Sequence, residues 1–149
     1  MLKEALLEVF ERDLKKLAEE INLYKDESTL WVIKHEISNS AGNLCLHLVG
    51  NLNHFIGSIL GKLGYVRDRD SEFSSKNIPR KDLITSIEGT IKVVKDTLGK
   101  LTEKDFQNDF PVDKHGKMVK TDFMLLHLLT HFNYHLGQVN YHRRLISGK

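Results

Sequence analysis

His131 and His135 stand four residues apart in the run HFNYHLGQV. On a helix that spacing means one turn and about 40° of rotation, so both rings can offer a nitrogen to one ion. Such a pair is a common start for a zinc-type site. The residue after His131 is Phe132, which rules out the His-Glu-x-x-His metalloprotease pattern. Upstream, Asn43, His47, Gly50, His54, Gly57 and Gly61 recur at steps of four and three, where a hydrophobic seam would carry leucines. Each glycine costs a helix about 1 kcal/mol relative to alanine, so this face is expected either to meet a close neighbour or to leave room for a ligand. Either His47 or His54 can reach the downstream pair, but two turns separate them, and metal–ligand distances of about 2 Å exclude both at once. Three histidines with one open position is the pattern of a catalytic rather than a structural site. The outer ring nitrogens then need partners, and Asn43, Asn51 and Gln138 are the polar candidates.

Four helices are expected to position these residues. From Leu2 to about Tyr24, Leu6, Phe10, Leu14, Leu17, Ile21 and Tyr24 follow helical steps between charged residues. Lys25 to Ser38 breaks the period and reads as an ordered connector. Ser38, Asn39 and Ser40 offer N-caps for a second helix to about Leu63. Gly64 to Pro79 reads as a charged loop. Leu83, Ile87, Ile91, Val94 and Leu98 place a third helix over Arg80 to Leu98. Thr102 to Lys120 reads as a loop or small hairpin turning at Asp113 to Gly116. A fourth helix is expected from a Thr121 N-cap to Ser147, with Met124, His127, His131, His135, Gln138, His142 and Leu145 facing inward. The fold class is therefore all-α, a four-helix bundle in one domain spanning 1–149.

The 22 basic and 20 acidic residues are interspersed and leave a net charge of +2, which argues against a nucleic-acid or membrane surface. The basic cluster His142, Arg143, Arg144 and Lys149 complements a helix C-terminus. No apolar run approaches the roughly 18 residues of a membrane span, and the N-terminus has charges where a secretory signal needs an apolar core. A cytoplasmic location is the expectation. The one cysteine, Cys45, is about 200° from His47 on the helix and reads as a small core residue. Trp31 and Tyr134 read as packing groups, His54 and His127 as flanking residues, and His35, His115 and His142 as surface or loop.

Two segments, GNLCLHLVGNLNHFIG and HFNYHLGQV, resemble the motifs of the DinB-like superfamily of metal-binding four-helix bundles, which includes the YfiT-type proteins. The resemblance implies His47, His131 and His135 as ligands of a divalent ion such as zinc or nickel. It also implies homodimers and, for some members, chemistry on a low-molecular-weight thiol. Leu136 stands where many relatives carry arginine, so a substrate-orienting charge is absent there. A metal-dependent thiol S-transferase is the expected function. One alternative is a hydrolase, which would need a carboxylate base that neither histidine stripe supplies. Another is a non-catalytic metal or ligand binder. Metal binding is favoured over three plain core histidines because several imidazoles buried without a shared partner would be costly.

Overall fold

The computed structural model describes residues 2–147 and is all-helical, with isolated bridges in place of strands among those residues. Lys149 of the basic C-terminal cluster lies outside the described residues. The first helix, α1 (Leu2–Leu23), buries Leu6, Phe10, Leu14, Leu17 and Ile21, as its period predicts. A short 3₁₀ turn (Glu27–Trp31) then carries Trp31, buried beside α2 (Ala41–Leu52). Ser40 caps α2 by accepting from the Asn43 N–H at 3.2 Å.

The second helix does not run on as a regular α-helix to Leu63. Over Asn53–Leu60 it widens to π geometry, with Gly61 N–H reaching the Ile56 carbonyl. The Asn53 amide spans the disturbance, donating to the Val49 carbonyl at 2.8 Å and to Thr90 Oγ1 at 2.9 Å. The segment 64–79 is not a plain loop either, because it contains α3 (Arg69–Ser74), capped by Asp68. Next come α4 (Arg80–Gly99), the single-turn α5 (Glu103–Gln107) and α6 (Thr121–Ser147). The expected turn after α5 forms through antiparallel bridges joining Asp109 to Lys120 and Lys114 to Lys117. His115 and Gly116 adopt left-handed φ values of 52° and 79° at its tip.

Against α1 pack α4 and α6, while α2 lies between them and carries α3 on its other side. Polar bonds stitch α1 to α6. Glu20 accepts from Asn140 at 2.6 Å and from Arg143 at 2.7 Å, and Asp13 accepts from Asn133 at 3.1 Å. No helix among the described residues is long and apolar enough to cross a membrane.

Three expectations for α6 are corrected. Thr121 does not act as its N-cap, since the hydroxyl donates to the Asn108 carbonyl at 3.0 Å from within the first turn. Of the expected inward line Met124 and His142 are buried, His127, His131 and His135 are half-buried at the edge of a face made by Leu125, Leu128, Phe132, Leu136 and Val139, and Gln138 and Leu145 are exposed. Tyr134 is exposed too, because it projects from the face opposite the core.

Candidate metal centre

His47 is buried on α2, and the i, i+4 register of α6 brings His131 and His135 to it half-buried. The three can each offer a ring nitrogen within 4.8 Å of the other two. Nε2 of His47 lies 3.2 Å from Nε2 of His131. Tetrahedral coordination at about 2.0–2.1 Å sets ligand nitrogens about 3.3 Å apart, so this spacing suits one shared ion. The ring planes cross at 73°, 84° and 85°, which turns edges rather than faces toward a common point. His54 is not part of the group. It lies two turns beyond His47, out of reach of the same ion, and its ring lies 4.6 Å from that of Phe55 instead. His127 sits beside His131, with ring centroids 6.5 Å apart, but it is not one of the three.

The outer nitrogens explain how the inner ones are aimed. His47 Nδ1 faces the Glu72 carboxylate at 3.1 Å, so Nδ1 carries the proton and Nε2 keeps a free lone pair. Arg67 grips the same carboxylate through Nε at 2.8 Å and Nη2 at 3.0 Å. His135 Nδ1 donates to Gln138 Oε1 at 2.6 Å, as the sequence suggested for Gln138. His131 Nδ1 is buried with no partner. With one nitrogen unpaired and the other 3.2 Å from a bare lone pair on His47, His131 is not a satisfied core histidine. Such a pair needs a proton or a cation between the rings. Burial, reinforced by neighbouring His135 and His47, pushes the His131 pKa down to about 4. Burial also lowers that of His47, although Glu72 opposes the shift. Both rings are thus neutral near pH 7, the form that binds metal.

The sequence does not disclose Glu72 and Arg67 as site residues, because the whole segment 64–79 reads as a charged loop. Their signal was Gly50: a Cβ there would fall within the Glu72 carboxylate, so the glycine on the buried face marks a close approach. Asn43 serves the same seat. Its Nδ2 donates to the Glu72 and Ser75 carbonyls at 2.9 and 2.8 Å, holding the segment that carries the carboxylate rather than touching an imidazole. Asn51 Oδ1 is buried and unpaired, so it does not orient a ligand ring as expected. Leu136 is buried in the core, and the guanidinium near the histidines comes from Arg67 instead.

The remaining assignments divide. Cys45 is buried away from the centre, and burial pushes its thiol up to about 12. His35 and His115 are exposed as expected. His142 is not a surface residue. It is 2% exposed, accepts from the Tyr24 hydroxyl at Nδ1 (2.6 Å) and donates from Nε2 to the Val32 carbonyl (2.8 Å).

A crystal structure titled as a conserved protein from Enterococcus faecalis superposes with a TM-score of 0.76 at 16% identity, covering 98% of this chain and 97% of that one. That likeness concerns the fold alone. No curated protein matches the chain. A family model described as a protein of unknown function (DUF1572) matches residues 3–149, nearly the whole sequence, and the chain belongs to that family.

Proposed function

We propose that the chain is a DinB-like four-helix bundle whose His47, His131 and His135 hold one divalent ion, zinc or nickel, and that it acts as a metal-dependent thiol S-transferase. The convergence of three imidazoles, two of them oriented from behind by Glu72 and Gln138, carries this reading. A divalent ion there would hold a low-molecular-weight thiol as its thiolate at neutral pH and so supply the nucleophile. Around it, Glu72 fixes the tautomer of His47, and Arg67 fixes Glu72. Buried Met124 and Leu128 shield one side of the adjoining cavity from water.

The hydrolase alternative fits less well. Both Glu72 oxygens are engaged by His47 and Arg67, which leaves them poorly placed to take a proton from water. The carboxylate that borders the cavity, Asp113, sits on an exposed turn. A thiol-dependent role suits the cytoplasm, where free thiols stay reduced. A second copy is proposed to pack on the outer face of α6, where Phe123, Tyr134, Tyr141 and Leu145 are exposed.

Elemental analysis tests the core of the proposal. Untagged protein is offered zinc or nickel and freed of unbound ions, and about one ion per chain is expected to remain. Retention of none overturns the metal reading and the transferase with it. If metal is kept, metal-dependent consumption of a thiol with an electrophile distinguishes a transferase from a non-catalytic binder.

A further inference from the structure

Beside His47 and His131 a cavity of about 280 Å³ opens toward the turn at Asp113 to Gly116. Its volume lies at the small end of ligand pockets, which suits a compact molecule. Three cations border it, Arg67, Arg69 and Lys114. Arg67 is committed to Glu72, while the Arg69 guanidinium lies 5.3 Å from the centre of the Phe73 ring. Neither Arg69 nor Lys114 has an ion-pair partner among the described residues. The opposing carboxylates are Asp113 on the rim and Glu72 behind Arg67. Three cations against two carboxylates leave one positive charge, which is suited to a monoanion.

A second, independent feature is the amide of Asn51. It lines the same cavity at 8% exposure, and its Oδ1 has no hydrogen-bond partner. An amide oxygen accepts and cannot donate, and leaving one buried and unpaired is unfavourable. It calls for an N–H or O–H from whatever fills the space. Phe55, Met124 and Leu128 supply apolar wall to the same cavity.

We infer that this cavity is the substrate pocket of the centre and takes a small carboxylic acid bearing an N–H or O–H donor. The carboxylate meets Arg69 and Lys114, and the donor meets Asn51 Oδ1. The assignment as a substrate pocket rests on the metal-centre reading above, but binding itself does not require the ion. Asn51 therefore acts as a specificity residue, and the turn bearing Lys114 forms part of the pocket mouth.

Calorimetric titration of the full chain, zinc-loaded and chelator-treated, with three probes tests this. N-acetylglycine has both groups, its methyl ester lacks the charge, and N-acetylsarcosine lacks the N–H. N-acetylglycine is expected to bind both forms, with each of the others weaker by about tenfold or more. Asn51→Leu should bind N-acetylglycine and N-acetylsarcosine equally, and the double variant Arg69→Gln/Lys114→Gln should lose the preference for acid over ester. These are losses of discrimination, which misfolding does not mimic. Equal binding of all three probes, or no saturable binding to folded wild type, overturns the inference. So does binding that needs zinc and ignores the Arg69/Lys114 substitutions, because the ion alone would then be the anion receptor. Zinc retained with no probe bound leaves the metal reading standing without this pocket. Discrimination among probes by protein that retains no zinc leaves the pocket and removes the metal.

Discussion

His131 and His142 lie on the same helix, eleven residues or about three turns apart, and both are neutralised by burial. Their surroundings differ in one respect. His142 has both ring nitrogens satisfied, one by Tyr24 and one by Val32, and so locks α1 and the connector onto α6. His131 has one nitrogen with no partner and the other facing a second imidazole. A buried histidine with two partners is a structural clamp, whereas buried histidines whose ring nitrogens converge could hold a cation.

The sharpest way to break this contrast is to delete the rings. His131→Ala or His135→Ala should abolish stoichiometric metal retention, with His115→Ala retaining it, as read by elemental analysis. Equal loss in all three variants would remove the site assignment. His142→Ala should do the reverse. It strands the Tyr24 hydroxyl and Val32 carbonyl and leaves a void, destabilising the fold by about 2–4 kcal/mol in urea titration, while metal still binds to the folded fraction.

A smaller effect is expected behind the metal centre. Glu72→Gln keeps the shape but weakens the orientation of His47, and metal affinity should fall about 10- to 100-fold. Unchanged affinity in a competition titration would mean that Glu72 serves only to dock α3. The pH dependence sharpens the contrast further. His131 and His142 both have pKa values below the ordinary 6.5, so the unfolded chain binds protons more readily than the fold. Stability of the metal-free protein should be full above about pH 6.5 and decline as pH falls, toward about 4 in the case of His131. Added zinc should oppose that decline in wild type and in His142→Gln but not in His131→Phe, measured by thermal melts across that range.

Local periodicity made much of this legible. The registers of α1 and α4, the length of α6 and the pairing of His131 with His135 depend on residues a few positions apart, and helical geometry turns such spacings into faces. Gly50 belonged to a stripe expected either to meet a close neighbour or to leave room for a ligand, and only the fold shows that it meets the Glu72 side chain. Glu72 stayed hidden because it meets His47 across 25 residues of chain, through a single short helix whose own sequence reads as charged loop. The turn at Asp113 to Gly116 was visible as a turn, but nothing local says that it borders the cavity beside His131.

By itself, then, the sequence determined an all-helical chain and a set of histidines at metal-binding spacing, because both follow from short-range backbone geometry. Only the tertiary structure decided what packs behind each ring. His142 stands seven residues after His135 and reads as surface or loop, yet it is buried against partners that lie 110 and 118 residues away. His54, two turns beyond His47, likewise falls outside the group and sets its ring against Phe55. Whether an imidazole is satisfied or left with a free lone pair depends on what packs against it, and packing is a property of the assembled chain.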